Sequence, residues 1–242
     1  MSAAEPGLVL GIDTATPLGG IAIAGPDGLI AEHAVGVQGS HASRLMAALE
    51  RLLGDAGLSL ADLAGIGVSI GPGSFTGLRV GVASAMGLAR AQNLPLLPVP
   101  TLEALAWGVP RPAGAAVATV LTARRDEVYG AVFGATASGG LEPLLAPCAV
   151  APAALLAELN RLGRPLVLAG SGTPALLAAG APARGITAAP AVFWQPRAAV
   201  VAWRAGRMLA EGRRHAPHEV TPIYLKASQA EINWAKRQRT TG

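Results

Sequence analysis

The sequence predicts an α/β protein of two lobes, each built on a mixed β-sheet. Three observations carry this. Apolar runs of strand length alternate with runs at helical spacing. The order β-β-β-α-β-α occurs twice along the chain without visible repetition of residues, and Pro100, Pro110 and Pro112 cluster between the two copies. Each copy opens on a three-strand antiparallel meander, which later strands extend in parallel through helical crossovers. The first lobe is expected over 1–105 and a smaller second lobe over 106–196. A helix over 197–212 can pack back across either lobe and is assigned with the first. The remainder, 213–242, is a basic C-terminal segment expected to be disordered toward its end.

In chain order, "LVLGID" from Leu8 reads as a buried strand, and "TATPLGG" turns into a second strand, "GIAIAG". Pro26-Asp27-Gly28 makes a hairpin turn into "LIAEHAV". Ser40 can cap the next helix, from His41 to Leu53. Its Leu45, Met46, Leu49, Leu52 and Leu53 share one apolar face, and Gly54 stops it. "AGIGVSIG" is a fourth strand. A glycine-rich turn at Gly71 then launches a helix from Leu78 to Gln92, followed by a fifth strand, "LPLLPVP". The second half begins with "AAVATVLTA" and "EVYGAVFGA", joined by the charged turn Arg124-Arg125-Asp126. A weaker strand over Leu144 to Val150 is interrupted by Pro147. The helix "APAALLAELNRLG", the strand and turn "RPLVLAGSG", and a short helix near Ala175 to Ala179 follow. A last helix runs from Arg197 to Glu211.

Composition narrows the function classes. Of 242 residues, 51% are hydrophobic and only 14% charged, a balance set by Ala, Val, Leu and Gly that points to dense packing. No uninterrupted apolar run reaches the ~18 residues of a membrane span, so no membrane role is expected. A single cysteine, Cys148, excludes an intramolecular disulfide framework and points to a reducing compartment, the cytoplasm. The net charge of +4 is modest. Arg213, Arg214, Lys226, Lys236, Arg237 and Arg239 gather near the C-terminus, where they read as a solvated tail. A weak contact with RNA or an acidic partner is the sharper alternative. Aromatic residues at 4% offer no stacking platform for single strands.

The Gly71 turn, between a strand and a helix, has the geometry that aims backbone amides at an anion. Yet it lacks the Lys-Ser/Thr of a phosphate loop, and its glycines miss the dinucleotide spacing by one. Asp13 ends the first strand, where a kinase of this architecture would hold a metal and phosphates; an Asx turn is the preferred reading. Asp13, Gly71, Gly73 and Gly170 are therefore kept as a candidate vestigial nucleotide site, with no cofactor expected beyond weak ATP or ADP binding. Behind the turn, Gly77, Gly81, Ala85 and Ala89 form a small-residue stripe, and Ala83, Gly87 and Ala91 a second. Mid-helix glycines cost about 1 kcal/mol each, so close approach by another backbone is expected to compensate. One stripe must serve the protein's own sheet, and the other can meet a second helix. The histidines His33, His41, His215 and His218 have no supporting metal ligands in the sequence, and no hydrolase motif occurs.

"GPGSFTGLRVGVASAMGLA" closely resembles the signature segment of the TsaB (YeaZ) family. "LGIDTATPLGGIAIA", "HASRLMAALERLL", "TARRDEVYGAVF" and "PIYLK" resemble further family segments in the right order, so the likeness reaches from about Leu8 to Lys226. It implies an actin-like (ASKHA, RNase H-like) fold. It also implies a non-catalytic subunit that pairs with a TsaD-like enzyme, which transfers a threonylcarbamoyl group to N6 of the adenosine beside the anticodon. A TsaE-like ATPase is expected to dock on the pair, with tRNA contact indirect and a homodimer available to the subunit alone. The pairing surface maps to the first two helices, with Leu45, Leu49, Arg79, Val82, Met86 and Arg90 facing the partner and Gly81 and Ala85 permitting close approach. Arg79, a cation near the positive end of its helix, calls for a carboxylate from the partner or from Asp13. Thr122 and Ala42 depart from the family pattern, which usually has Asp and Ser there. The competing function is a free-standing actin-like ATP-binding enzyme.

Overall fold

Strand β1 (Leu8–Asp13) pairs antiparallel with β2 (Leu18–Gly25), and β2 with β3 (Gly28–Gly36), as the Pro26-Asp27-Gly28 turn dictates. The computed structural model describes residues 7–36, 42–124 and 126–225. The cap expected at Ser40, His41, Arg125 of the charged turn and the basic tail from Lys226 onward lie outside the described residues. Helix α1 (Ala42–Ala56) crosses to β4 (Leu63–Ser69), which runs parallel to β1. Helix α2 (Phe75–Ala91) crosses in turn to β5 (Leu96–Val99), parallel to β4. The sheet order is β3-β2-β1-β4-β5.

The second half repeats this plan. Strands β6 (Ala116–Thr122), β7 (Val128–Ala135) and β8 (Leu141–Val150) form the meander. Helix α4 (Pro152–Arg161), β9 (Leu166–Ala169), helix α5 (Thr173–Ala178) and β10 (Ile186–Ala188) complete it, in the order β10-β9-β6-β7-β8. Read from the meander edge, both sheets have the same strand order and sense. This is the two-lobe actin-like fold. The expected third strand of the second lobe is longer than its residues suggested, because an edge strand tolerates Pro143 and Pro147. Strand β10 was not anticipated.

Helices α1 and α2 cover one face of the first sheet, where Leu45, Leu49, Leu52, Val82, Ala85 and Ala89 join Leu10, Ile12 and Ile66 in one core. Helices α4 and α5 cover the outer face of the second sheet. Between the sheets lie α3 (Thr101–Trp107) and α6 (Ala198–Ala210). Helix α6 packs across β1, β2 and β4 of the first lobe, closely enough that a Cβ at Gly11 would overlap the Ala198 carbonyl and one at Gly67 would lie 2.5 Å from the Ala205 methyl. Helix α3 occupies the proline-flanked stretch expected to be a boundary, so the division at 105/106 falls inside a helix. Leu102 and Leu105 belong to the second lobe's core, whereas Ala104 packs with Val9, Val201 and Ala205 of the first. After α6 the chain returns to the first lobe instead of leaving the surface. The Leu96 amide donates to the His215 carbonyl (3.1 Å), and Val220 is buried in the first core.

Candidate functional site

Asp13 and Ser69 end the adjacent parallel strands β1 and β4, so the β1–β2 turn and the Gly71 loop emerge side by side. The turn fills the loop. The Ser74 amide donates to the Ala15 carbonyl (2.7 Å), and the Thr14 hydroxyl donates to the Gly77 carbonyl (2.7 Å). A Cβ at Gly73 would overlap the Ala15 carbonyl, one at Gly77 the Thr14 carbonyl, and one at Gly81 the Thr14 hydroxyl. The glycine spacing is thus a response to the protein's own turn. Gly71, at φ +113°, is held from the other side, its amide donating to the Thr101 hydroxyl (3.1 Å) and its carbonyl accepting from the Thr101 amide (2.8 Å). Ser74 caps α2 by accepting from the Gly77 amide (3.2 Å).

The second lobe closes its corresponding turn in the same way. The Gly172 amide donates to the Val120 carbonyl (2.9 Å), the Thr122 amide donates to the Ser171 hydroxyl (3.1 Å), and a Cβ at Gly170 would overlap the Val120 carbonyl. Asp13 is 1% exposed and forms the expected Asx turn, its Oδ1 accepting from the Ala15 amide (2.8 Å). Burial pushes its carboxyl up to about 6, and the Ala15 amide pulls it back down. Oδ2 makes no hydrogen bond among the described residues. No three His, Cys, Asp or Glu side chains among the described residues converge as metal ligands.

The expected partner-facing set divides. Leu45, Leu49, Val82 and Ala85 are buried in the first lobe's own core, and Gly81 is pressed against Thr14, so these five do not face outward. The correction is geometric: Leu45 and Leu49 share the stripe of Leu52 and Leu53, and an amphipathic helix turns that stripe to its sheet. Arg79 and Arg90 are exposed and Met86 is half-buried. Ala83, Gly87 and Ala91 also point outward, and nothing lies within 4 Å of a Cβ placed at Gly87. Arg79 has no contact with the buried Asp13. Its guanidinium sits 3.9 Å from the Phe75 ring centroid, and its Nε donates to the Tyr224 hydroxyl (3.2 Å). Tyr224 was not among the expected site residues, although it lies in the "PIYLK" segment that carries part of the family likeness. Between β2, β3 and α1 lies a cavity of about 380 Å³, with His33, Arg44 and Arg51 in its lining. No described helix is long and apolar enough to cross a membrane.

Comparison with known proteins agrees with this geometry. A family model described as TsaD, tRNA N6-adenosine threonylcarbamoyltransferase, matches residues 36–234. The chain is 31% identical over 229 residues to the tRNA threonylcarbamoyladenosine biosynthesis protein TsaB of Escherichia coli, covering 94% of this chain and 97% of that one. It is 31% identical over 235 residues to the Bacillus subtilis protein of the same name, covering 96% and 99%. YeaZ from Pseudomonas aeruginosa superposes with a TM-score of 0.78 at 25% identity, over 90% of this chain and all of that one.

Proposed function

The chain belongs to the TsaB (YeaZ) family, and from that premise we propose that it is the non-catalytic partner of a TsaD-like subunit in forming threonylcarbamoyladenosine in tRNA. The observation that carries this reading is the filling of the Gly71 loop by the chain's own Thr14 and Ala15. Backbone groups that would cradle a phosphate in an actin-like enzyme are here committed to holding the lobe together. Gly170 is closed in the same way by Val120. Transfer chemistry then belongs to the partner, and this chain contributes a surface.

That surface is the outward side of α1 and α2. Met46 is 43% exposed on α1, and Ala83 and Gly87 leave a shallow strip on α2, flanked by Arg79 and Arg90. Small side chains let a facing helix come close, while exposed apolar area supplies the driving force. A TsaE-like ATPase docks on the assembled pair, tRNA is reached through the complex, and the subunit requires no nucleotide of its own. In isolation the same face permits a homodimer.

The test is reconstitution. Threonylcarbamoyl transfer to tRNA should require both this chain and the TsaD-like subunit, which should co-elute as a complex. Ala83→Arg or Gly87→Arg should abolish co-elution without lowering the melting temperature of the isolated chain. The free-standing enzyme reading predicts otherwise. Tight magnesium-dependent ATP binding by the isolated chain, lost in Asp13→Ala, would overturn the non-catalytic assignment.

A further inference from the structure

The segment after α6 builds part of the α2 surface. A 3-10 turn at Pro217–Glu219 lies against α2, and the Ile223 amide donates to the Ile70 carbonyl (2.7 Å), which brings the Ile223 carbonyl over Gly71. Anchored this way, the strap sets the Tyr224 ring 5.1 Å from the Phe75 ring, and the Tyr224 hydroxyl receives Arg79 Nε. The Arg79 guanidinium is therefore held on one face by Phe75 and along one edge by Tyr224. Its two Nη groups make no hydrogen bond or ion pair among the described residues. Ile223 and Tyr224 remain 40% and 41% exposed beside it.

This arrangement is costly for a free subunit. The first turn of α2 has no acidic residue, and the Arg79 guanidinium, one residue beyond that turn, meets a ring face and a hydroxyl but no carboxylate among the described residues. Solvent-exposed Ile and Tyr side chains surround it. Each feature becomes favourable once a carboxylate arrives. A guanidinium with its outer edge free binds a carboxylate through two parallel hydrogen bonds. Holding the side chain in place beforehand reduces the entropy lost on docking.

We propose that Arg79, Phe75, Ile223 and Tyr224 form a docking site for an aspartate or glutamate side chain of the TsaD-like partner, and that the C-terminal strap builds half of it. The proposal rests on the pairing reading above. A second copy of this chain is a poorer occupant. Exposed Arg44, Arg51, Arg79 and Arg90 outnumber Glu50 and Asp55 on α1 and α2, and a two-fold contact would set like charges against each other.

The test is calorimetric titration of the full-length chain with the TsaD-like subunit at low and high salt. Arg79→Glu should weaken binding at least about tenfold and flatten its salt dependence. Tyr224→Phe keeps the ring and drops only the tether, so it should weaken binding roughly twofold to fivefold. Arg184→Glu, an exposed reversal in the second lobe, should leave affinity unchanged. Circular dichroism confirms that each variant is folded. Wild-type binding that Arg79→Glu leaves intact overturns the docking site while pairing stands. A wild-type chain that does not bind overturns both. If Arg79→Glu abolishes a homodimer but spares the heterologous complex, the occupant is a second copy and the proposal fails.

Discussion

Asp13 makes the stability of this protein depend on pH. Its folded-state pKa is about 6 against an ordinary 3.8, because burial disfavours the anion. Below about pH 3 the carboxyl is protonated in both states and costs nothing. As pH rises the unfolded chain ionises first, so stability falls until about pH 6, where the penalty reaches about 3 kcal/mol. Asp13→Asn retains an oxygen for the Ala15 amide and cannot ionise. It is expected to raise the melting temperature at pH 7.5 and to converge on the wild type near pH 3; parallel curves across that range would refute burial as the cause. The two glycines of α2 allow a sharper contrast. Gly81→Ala drives a methyl into the Thr14 hydroxyl, itself fixed by its bond to the Gly77 carbonyl, and should cost about 1–3 kcal/mol in urea unfolding. Gly87→Ala meets open space and should gain up to about 1 kcal/mol. Both glycines were visible as small-residue stripes in the sequence. Which stripe faces inward was not, because the obstructing atom, Thr14 Oγ1, lies 67 residues from Gly81 in the chain.

Helix α3 shows where reading by element broke down. Three prolines nearby suggested a lobe boundary, yet Pro100 sits at the N-cap and seven residues fold into a helix with Thr101, Leu102, Ala104, Leu105 and Ala106 all buried. Covered on two sides, such a helix has no polar face, and its length is too short to establish a period. Helix α1, read from its amphipathic face, and α2, read from its small-residue stripes, were legible, although α1 runs past Gly54 to Ala56 and α2 begins at Phe75 and not at Leu78. So was α6, although its docking lobe depended on glycines in β1 and β4 that its own residues do not reveal. Polar contacts lock α3 to α6: Arg204 donates to Glu103 (2.8 Å) and lies 3.5 Å from Glu211, while Trp107 meets Trp203 edge-on at 4.8 Å. Arg204 is 14% and Glu103 22% exposed. Glu103→Ala therefore leaves a largely buried guanidinium with only the longer Glu211 contact, and is expected to cost about 2 kcal/mol. Glu158→Ala, which breaks the exposed pair with Arg161, should change stability by less than about 0.5 kcal/mol. Denaturant curves followed by tryptophan fluorescence compare the two; equal effects would show that α3 is not held by this ion pair.

At the scale of the whole molecule, two sheets of identical strand order enclose α3 and α6, and this duplication was readable because strand and helix periods repeat in the same order. Its last strand, β10, escaped notice because three residues carry no pattern. The same architecture bears on nucleotide response. In a two-lobe protein that closes on a nucleotide, the lobes must rotate about their junction and the facing turns must be open. Here the junction helix α3 is packed into both cores, and both turns are stopped by their own chain at Thr14, Ala15 and Val120. Rotation would expose Leu102, Leu105 and Ala104 together, and admitting a phosphate would break the Ser74–Ala15 and Gly172–Val120 hydrogen bonds. A ligand at a hundred times its dissociation constant stabilises a fold by about 2.7 kcal/mol, which for a chain of this size raises the melting temperature by roughly 5–10 °C. Adding ~1 mM magnesium-ATP to the isolated chain is expected to leave both its melting temperature and its X-ray scattering profile unchanged. A rise of that size together with a smaller radius of gyration would mean that the turns open and the lobes move, and that the filled loop is a latch rather than a permanent closure.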